Sequence, residues 1–132
     1  MKKITFFIAI SFLLSVGIIA TSSCKKKSTT PDVSAPTFVM SAAADPAITN
    51  DVFFYFKCTT NDVKLTKVVV SDPIGAVNDT YDLQSVNALQ NVIYQLNTSY
   101  VKETGTWRFV FTGNRVSDNS AFVSTTTLLL SK

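Results

Sequence analysis

From Val52 to Cys58, and again from Trp107 to Phe111, large apolar side chains recur at every second position. A period of two is the signature of a β-strand, whose successive side chains point to opposite faces. Val52, Phe54, Phe56 and Cys58 therefore share one face, and Phe53, Tyr55 and Lys57 share the other. In the later run Trp107, Phe109 and Phe111 face one way, and Arg108 and Val110 the other. No stretch from 37 to 132 sustains a helical period, so the folded part is predicted to be all-β.

Further strands are expected at Thr37–Ala42, Leu65–Ser71, Val77–Leu83, Asn91–Thr98 and Phe122–Leu130. Val77–Leu83 is polar enough to be an edge strand. Asp45-Pro46, Thr49-Asn50-Asp51, Asn61-Asp62, Asp72-Pro73 and Asp118-Asn119 carry turn chemistry. Gly113-Asn114 is expected in the last connection. Residues 84–90 are compatible with one helical turn. Six or seven strands at this spacing predict a β-sandwich.

Ahead of this body lies a different kind of sequence. Met1-Lys2-Lys3 is basic, Ile4 to Ala20 is apolar but for Thr5, Ser11 and Ser15, and Thr21-Ser22-Ser23 is a small-residue stretch ending at Cys24. That three-part layout predicts an export signal over 1–23. As a helix the apolar run would span about 25 Å, short of a ~30 Å hydrocarbon core, which argues against a permanent anchor. Residues 25–36 have two prolines and no hydrophobic period. They predict a disordered tether with an end-to-end distance on the order of 20 Å.

The motif Thr21-Ser22-Ser23-Cys24 resembles the lipobox of bacterial lipoproteins, with Thr21 where that pattern prefers Leu, Val or Ile. The Ser-Cys-Lys-Lys-Lys context is similar to small lipoproteins of the Bacteroidota. The resemblance implies that Cys24 is the lipid attachment site, acylated with palmitate-type chains. It places the mature chain at the outer membrane. Three lysines stand where an acidic surface-export patch would be expected in such proteins, which favours the periplasmic face. Gly105-Thr106-Trp107-Arg108-Phe109-Val110-Phe111, Asp118-Asn119 and Phe122 to Leu130 resemble the ending of immunoglobulin-like domains of bacterial surface proteins. The expected organisation is thus a signal at 1–23, lipidated Cys24 and tether at 24–36, and one immunoglobulin-like β-sandwich at 37–132.

Charge and residue types narrow the function classes. The 132 residues carry 12 basic and 9 acidic side chains, a net of +3. Without the signal the balance is ten against nine. Setting Lys25 to Lys27 aside leaves seven against nine, or −2 for the body, which is not the basic surface of a nucleic-acid binder. Histidine is absent, which removes the commonest general base and metal ligand. Glycine-rich phosphate loops are missing, so no cofactor, metal or catalytic residues are assigned.

Cys58, on the apolar side of its strand, is read as a small buried hydrophobe. Asp45, Asp51, Asp62, Asp72, Asp79, Asp82 and Asp118 fall mostly at turns. Calcium at Asp45, Asn50 and Asp51 is the open alternative. Phe53, Tyr55 and Tyr94 are read first as core or inter-sheet packing. Their exposure in a cluster would instead indicate sugar or protein binding. The expectation is a non-catalytic envelope interaction module whose partner is unidentified, with a protein ranked first, a glycan next and a small carboxylate or Ser–Lys enzyme last.

Overall fold

A computed structural model describes residues 34–131. The expected signal, Cys24 and most of the tether lie outside the described residues. The body is all-β, with strands β1 (Phe38–Ala44), β2 (Asp51–Cys58), β3 (Val63–Ser71), β4 (Asn78–Ala88), β5 (Ile93–Val101), β6 (Gly105–Arg115) and β7 (Ala121–Leu130). They form two antiparallel sheets, ordered β1-β2-β5 and β4-β3-β6-β7. Among the described residues there is no helix, and none long and apolar enough to cross a membrane.

The two sheets pack as a two-layer β-sandwich. It differs from the constant-type antibody arrangement in one respect: the fourth strand joins the larger sheet, beside β3, rather than the sheet of the first two strands.

The alternation in β2 and β6 builds the core. Phe54, Phe56 and Cys58 meet Trp107, Phe109 and Phe111 across the layers, and all six are buried. The Phe54 ring centre lies 4.8 Å from that of Trp107 and 4.9 Å from that of Phe109. Phe38 stacks on Phe111 at 4.1 Å. The two Phe54 contacts are at favourable aromatic separations, adding to the area each ring removes from water. The indole N–H of Trp107 donates to the carbonyl of Glu103 at 3.0 Å, so its polar atom is not stranded.

Two elements depart from the sequence expectation. Residues 84–90 form no helical turn; β4 runs on to Ala88. Gln84 and Ser85 both take positive φ, and the β3–β4 register shifts between Leu65 and Lys67. This irregularity is what breaks the period of two. Gly113 and Asn114 belong to β6 rather than to a connection. Gly113 faces inward, opposite Leu65, where the chains approach too closely for a side chain.

Strand directions give the sandwich two ends. Residues 34–37, 59–62, 89–92 and 116–120 lie at the end where the chain enters the body. Residues 45–50, 72–77 and 102–104 lie at the opposite end.

At the entry end Asp62 pins two loops. Its carboxylate accepts the Gln90 N–H at 2.6 Å, and its carbonyl accepts the Val116 N–H at 3.0 Å.

Candidate functional site

An antiparallel sheet on a core usually turns apolar residues inward and polar ones to water. The larger sheet obeys this only in part, since Val69, Val110, Val123 and Leu129 also lie on its outer face. Its outer face carries Lys67, Ser71, Arg108, Thr112, Thr125 and Thr127, and Lys67 stands opposite Asp82. The smaller sheet does not obey it, because β2 has aromatic residues on both faces.

Phe53 and Tyr55 point away from the core, on the central strand of the β1-β2-β5 sheet. Register sets their neighbours: Ala43, Phe53 and Ser99 form one row across the sheet, and Ser41, Tyr55 and Gln95 the next. The flanking side chains are small or flexible, and both rings are half-buried. Val39, Ile93 and Val101, on the same sheet, are each more than half exposed. The face thus holds two adjacent rings with aliphatic residues around them. Asp51 and Lys57 are its charged members, toward opposite ends of β2.

β5 has two extra residues between Gln95 and Ser99, because the register shifts between Phe53 and Tyr55. Beside the two rings the edge of the sheet is therefore kinked. Bulges of this kind are common at sheet edges and next to sites of recognition.

The other aromatics have different places. Trp107 and Tyr100 are buried, and Tyr94 packs half-buried against the core, its ring stacked on Phe56 at 5.5 Å. The first reading of Phe53 and Tyr55 as core or inter-sheet packing is therefore corrected: a two-layer sandwich leaves one side of β2 uncovered. The Tyr100 hydroxyl is hydrogen-bonded to that of Tyr81. Burial foremost, and this bond next, push the Tyr100 phenol pKa well above its ordinary value.

Cys58 is a free thiol, fully buried. In the β1–β2 loop the Asp45 carboxylate accepts the Ala47 N–H at 2.8 Å, and that of Asp51 accepts the Ser99 hydroxyl at 3.3 Å. Asn50 adopts φ 71°, and its carbonyl accepts the Lys102 N–H at 2.7 Å. Turn chemistry occupies these groups, and among the described residues no three Asp, Glu, Cys or His side chains converge. Beside this loop an open groove of about 590 Å³ runs between the ends of β1 and β7, lined by Ala42–Ala44, Ile48, Lys102 and Leu129.

One residue escaped the sequence reading. Arg115 continues the inward face of β6 past Gly113 and is buried. Its Nε and one terminal nitrogen donate to the Ser120 hydroxyl at 2.8 and 2.6 Å, and that same nitrogen lies 3.1 Å from the Asp118 carboxylate. The other terminal nitrogen is buried without a partner. Hydrogen bonds from the Ser120 hydroxyl and then its N–H, followed by the charge of Arg115, hold the Asp118 carboxyl below its usual range. The inward parity of position 115 was the available signal.

Comparison with known proteins finds no matching family model, no matching curated relative and no matching solved structure. The class is defined by the molecule alone: a small β-sandwich that displays an aromatic and aliphatic sheet face.

Proposed function

We propose that this chain is a lipid-anchored, non-catalytic interaction module of the bacterial envelope, tethered to the outer membrane through acylated Cys24 on its periplasmic side. It engages a protein partner through the outer face of the β1-β2-β5 sheet. One observation carries the reading: Phe53 and Tyr55 stand side by side on that face, with Val39, Ile93 and Val101 exposed around them. Aromatic and aliphatic side chains gathered on one sheet face in this way are what a docking face uses. Aromatic residues near the centre of such a face are frequent anchors of binding energy.

Glycan binding is the second reading, and the same two rings favour it, with Gln95 and Lys57 as polar neighbours. The aliphatic residues extend beyond what ring stacking on a sugar requires, so the protein partner stands first.

A photo-crosslinking residue at Ser41, in intact cells, tests the reading. The expected result is a discrete crosslinked protein species that falls at least tenfold in the Phe53→Ser, Tyr55→Ser variant, while thermal stability stays near that of the parent. Loss of one anchor worth about 2 kcal/mol already weakens binding roughly 30-fold. Absence of any crosslinked protein, or crosslinking undiminished in the double variant, would refute it. Crosslinks to polysaccharide alone would select the glycan reading.

A further inference from the structure

Sheet edges are normally defended. Lysine, proline, bulges or short length stop a free strand from pairing with another chain. β4, one edge of the larger sheet, carries Asp79, Asp82 and the irregularity at Gln84–Ser85. β7, at the other edge, has none of these devices. Its ten residues, Ala121 to Leu130, include no charge and no proline, and their pairing with β6 is unbroken from end to end. On the side away from β6 its main chain pairs with no other strand, although β1 of the other layer comes near it.

The pattern along β7 also matches itself. Val123 and Leu129 are the two large apolar residues that this strand exposes, at 64% and 73%. They are equidistant from Thr126. If a second β7 runs antiparallel with Thr126 facing Thr126, each Val123 lies opposite a Leu129, and each Thr125 opposite a Thr127. Opposed residues share a face of the sheet. Both exposed aliphatics thereby gain an apolar neighbour, threonines meet threonines, and no charge meets a like charge.

We infer that β7 is a homodimer interface: two copies of this chain pair through β7 around a two-fold axis at Thr126, joining their four-stranded sheets into one of eight strands. Such an interface is isologous, as expected of a two-fold dimer. The occupant is a second copy because the match is between the strand and its own reverse. A strand of arbitrary sequence would satisfy the main chain but leave the symmetric placement of Val123 and Leu129 unused. The inference is independent of acylation at Cys24 and of the Phe53–Tyr55 face, which lies on the other sheet.

Disulfide trapping tests it on the full chain, in membranes and after detergent extraction. The register puts residues 123 and 129 of different copies directly opposite, at a Cβ separation near 4.5–5.5 Å, within reach of a disulfide after small adjustment. Val123→Cys with Leu129→Cys should convert most of the protein to covalent dimer under mild oxidation. Val123→Cys alone should not, because two copies of residue 123 are then about 20 Å apart. Sedimentation of the unmodified chain should give the dimer mass. Thr125→Lys with Thr127→Lys should give the monomer at an unchanged thermal midpoint, since both positions are solvent-facing. A monomeric unmodified chain, or single-cysteine variants that crosslink as fast as the double variant, would overturn the inference.

Discussion

Replacing Gly113 with alanine is the sharpest test of how β3 and β6 fit. A Cβ at that position would lie 2.3 Å from the carbonyl oxygen of Lys64 and 3.0 Å from the Cα of Leu65. Both atoms are backbone, so no side-chain rotation relieves the clash. The overlap is about 1 Å, a large fraction of the 4.7–4.9 Å spacing between paired strands. Either the two strands part locally or the irregularity at Leu65–Lys67 is rebuilt. Overpacking of this kind costs about 1–3 kcal/mol, and one or two broken ladder hydrogen bonds add about 1 kcal/mol each. A total of about 2–5 kcal/mol is a large share of the 5–15 kcal/mol typical of a domain. At roughly 4–8 °C per kcal/mol for this size, the midpoint should fall by at least about 8 °C. Near-UV circular dichroism reads it through the buried Trp107. Gly75→Ala is the control: its φ is +75° with no atom within 4 Å, so only the left-handed backbone cost of about 1–2 kcal/mol applies. A Gly113→Ala midpoint within 2 °C of the parent would refute the close approach of β3 to β6.

Two further outcomes follow from buried polar groups. The Tyr100 phenol has its pKa raised in the folded state, above the ordinary value near 10. Its share of stability is fully present below pH 10 and is lost as pH rises beyond it, since the unfolded chain then ionises while the fold resists. Urea midpoints from pH 8 to 11.5 should show this decline, and Tyr100→Phe should flatten it; an equal slope in the variant would remove Tyr100 as the cause. Cys58 should resist iodoacetamide at least a thousandfold better in the native protein than in denaturant, because a stability of even 5 kcal/mol leaves the open form that rare. Prompt labelling without denaturant would contradict its burial.

Much of the fold was legible because β2 and β6 alternate without interruption, and two such strands must face each other across a core. The inward set from Val52 to Cys58 and from Trp107 to Phe111 lies where parity puts it. Parity also groups Phe53 with Tyr55, but it cannot say whether a third layer covers them. The number of layers decides that, and it depends on how all seven strands assemble. β4 blurred because two residues at positive φ reset its phase. Gly113 read as a turn because glycine marks both turns and close backbone approaches, and only the neighbour strand distinguishes them. Arg115 sits at an inward parity, yet a charge there reads as outward until Ser120 and Asp118 curl back to meet it.

The order β4-β3-β6-β7 also governs how the chain comes to fold. β3 lies between β4 and β6, and Val68 must wait for Phe111, far along the sequence, before the central pair of the larger sheet can close. Pairings this distant postpone their energetic return until a long loop has been closed, which slows folding. A chain emerging from its N-terminal end therefore presents the Val52–Cys58 aromatics to solvent, with the β1–β2 hairpin able to form but nothing to sandwich it, until β6 has emerged. In that interval its hazard is aggregation through β2.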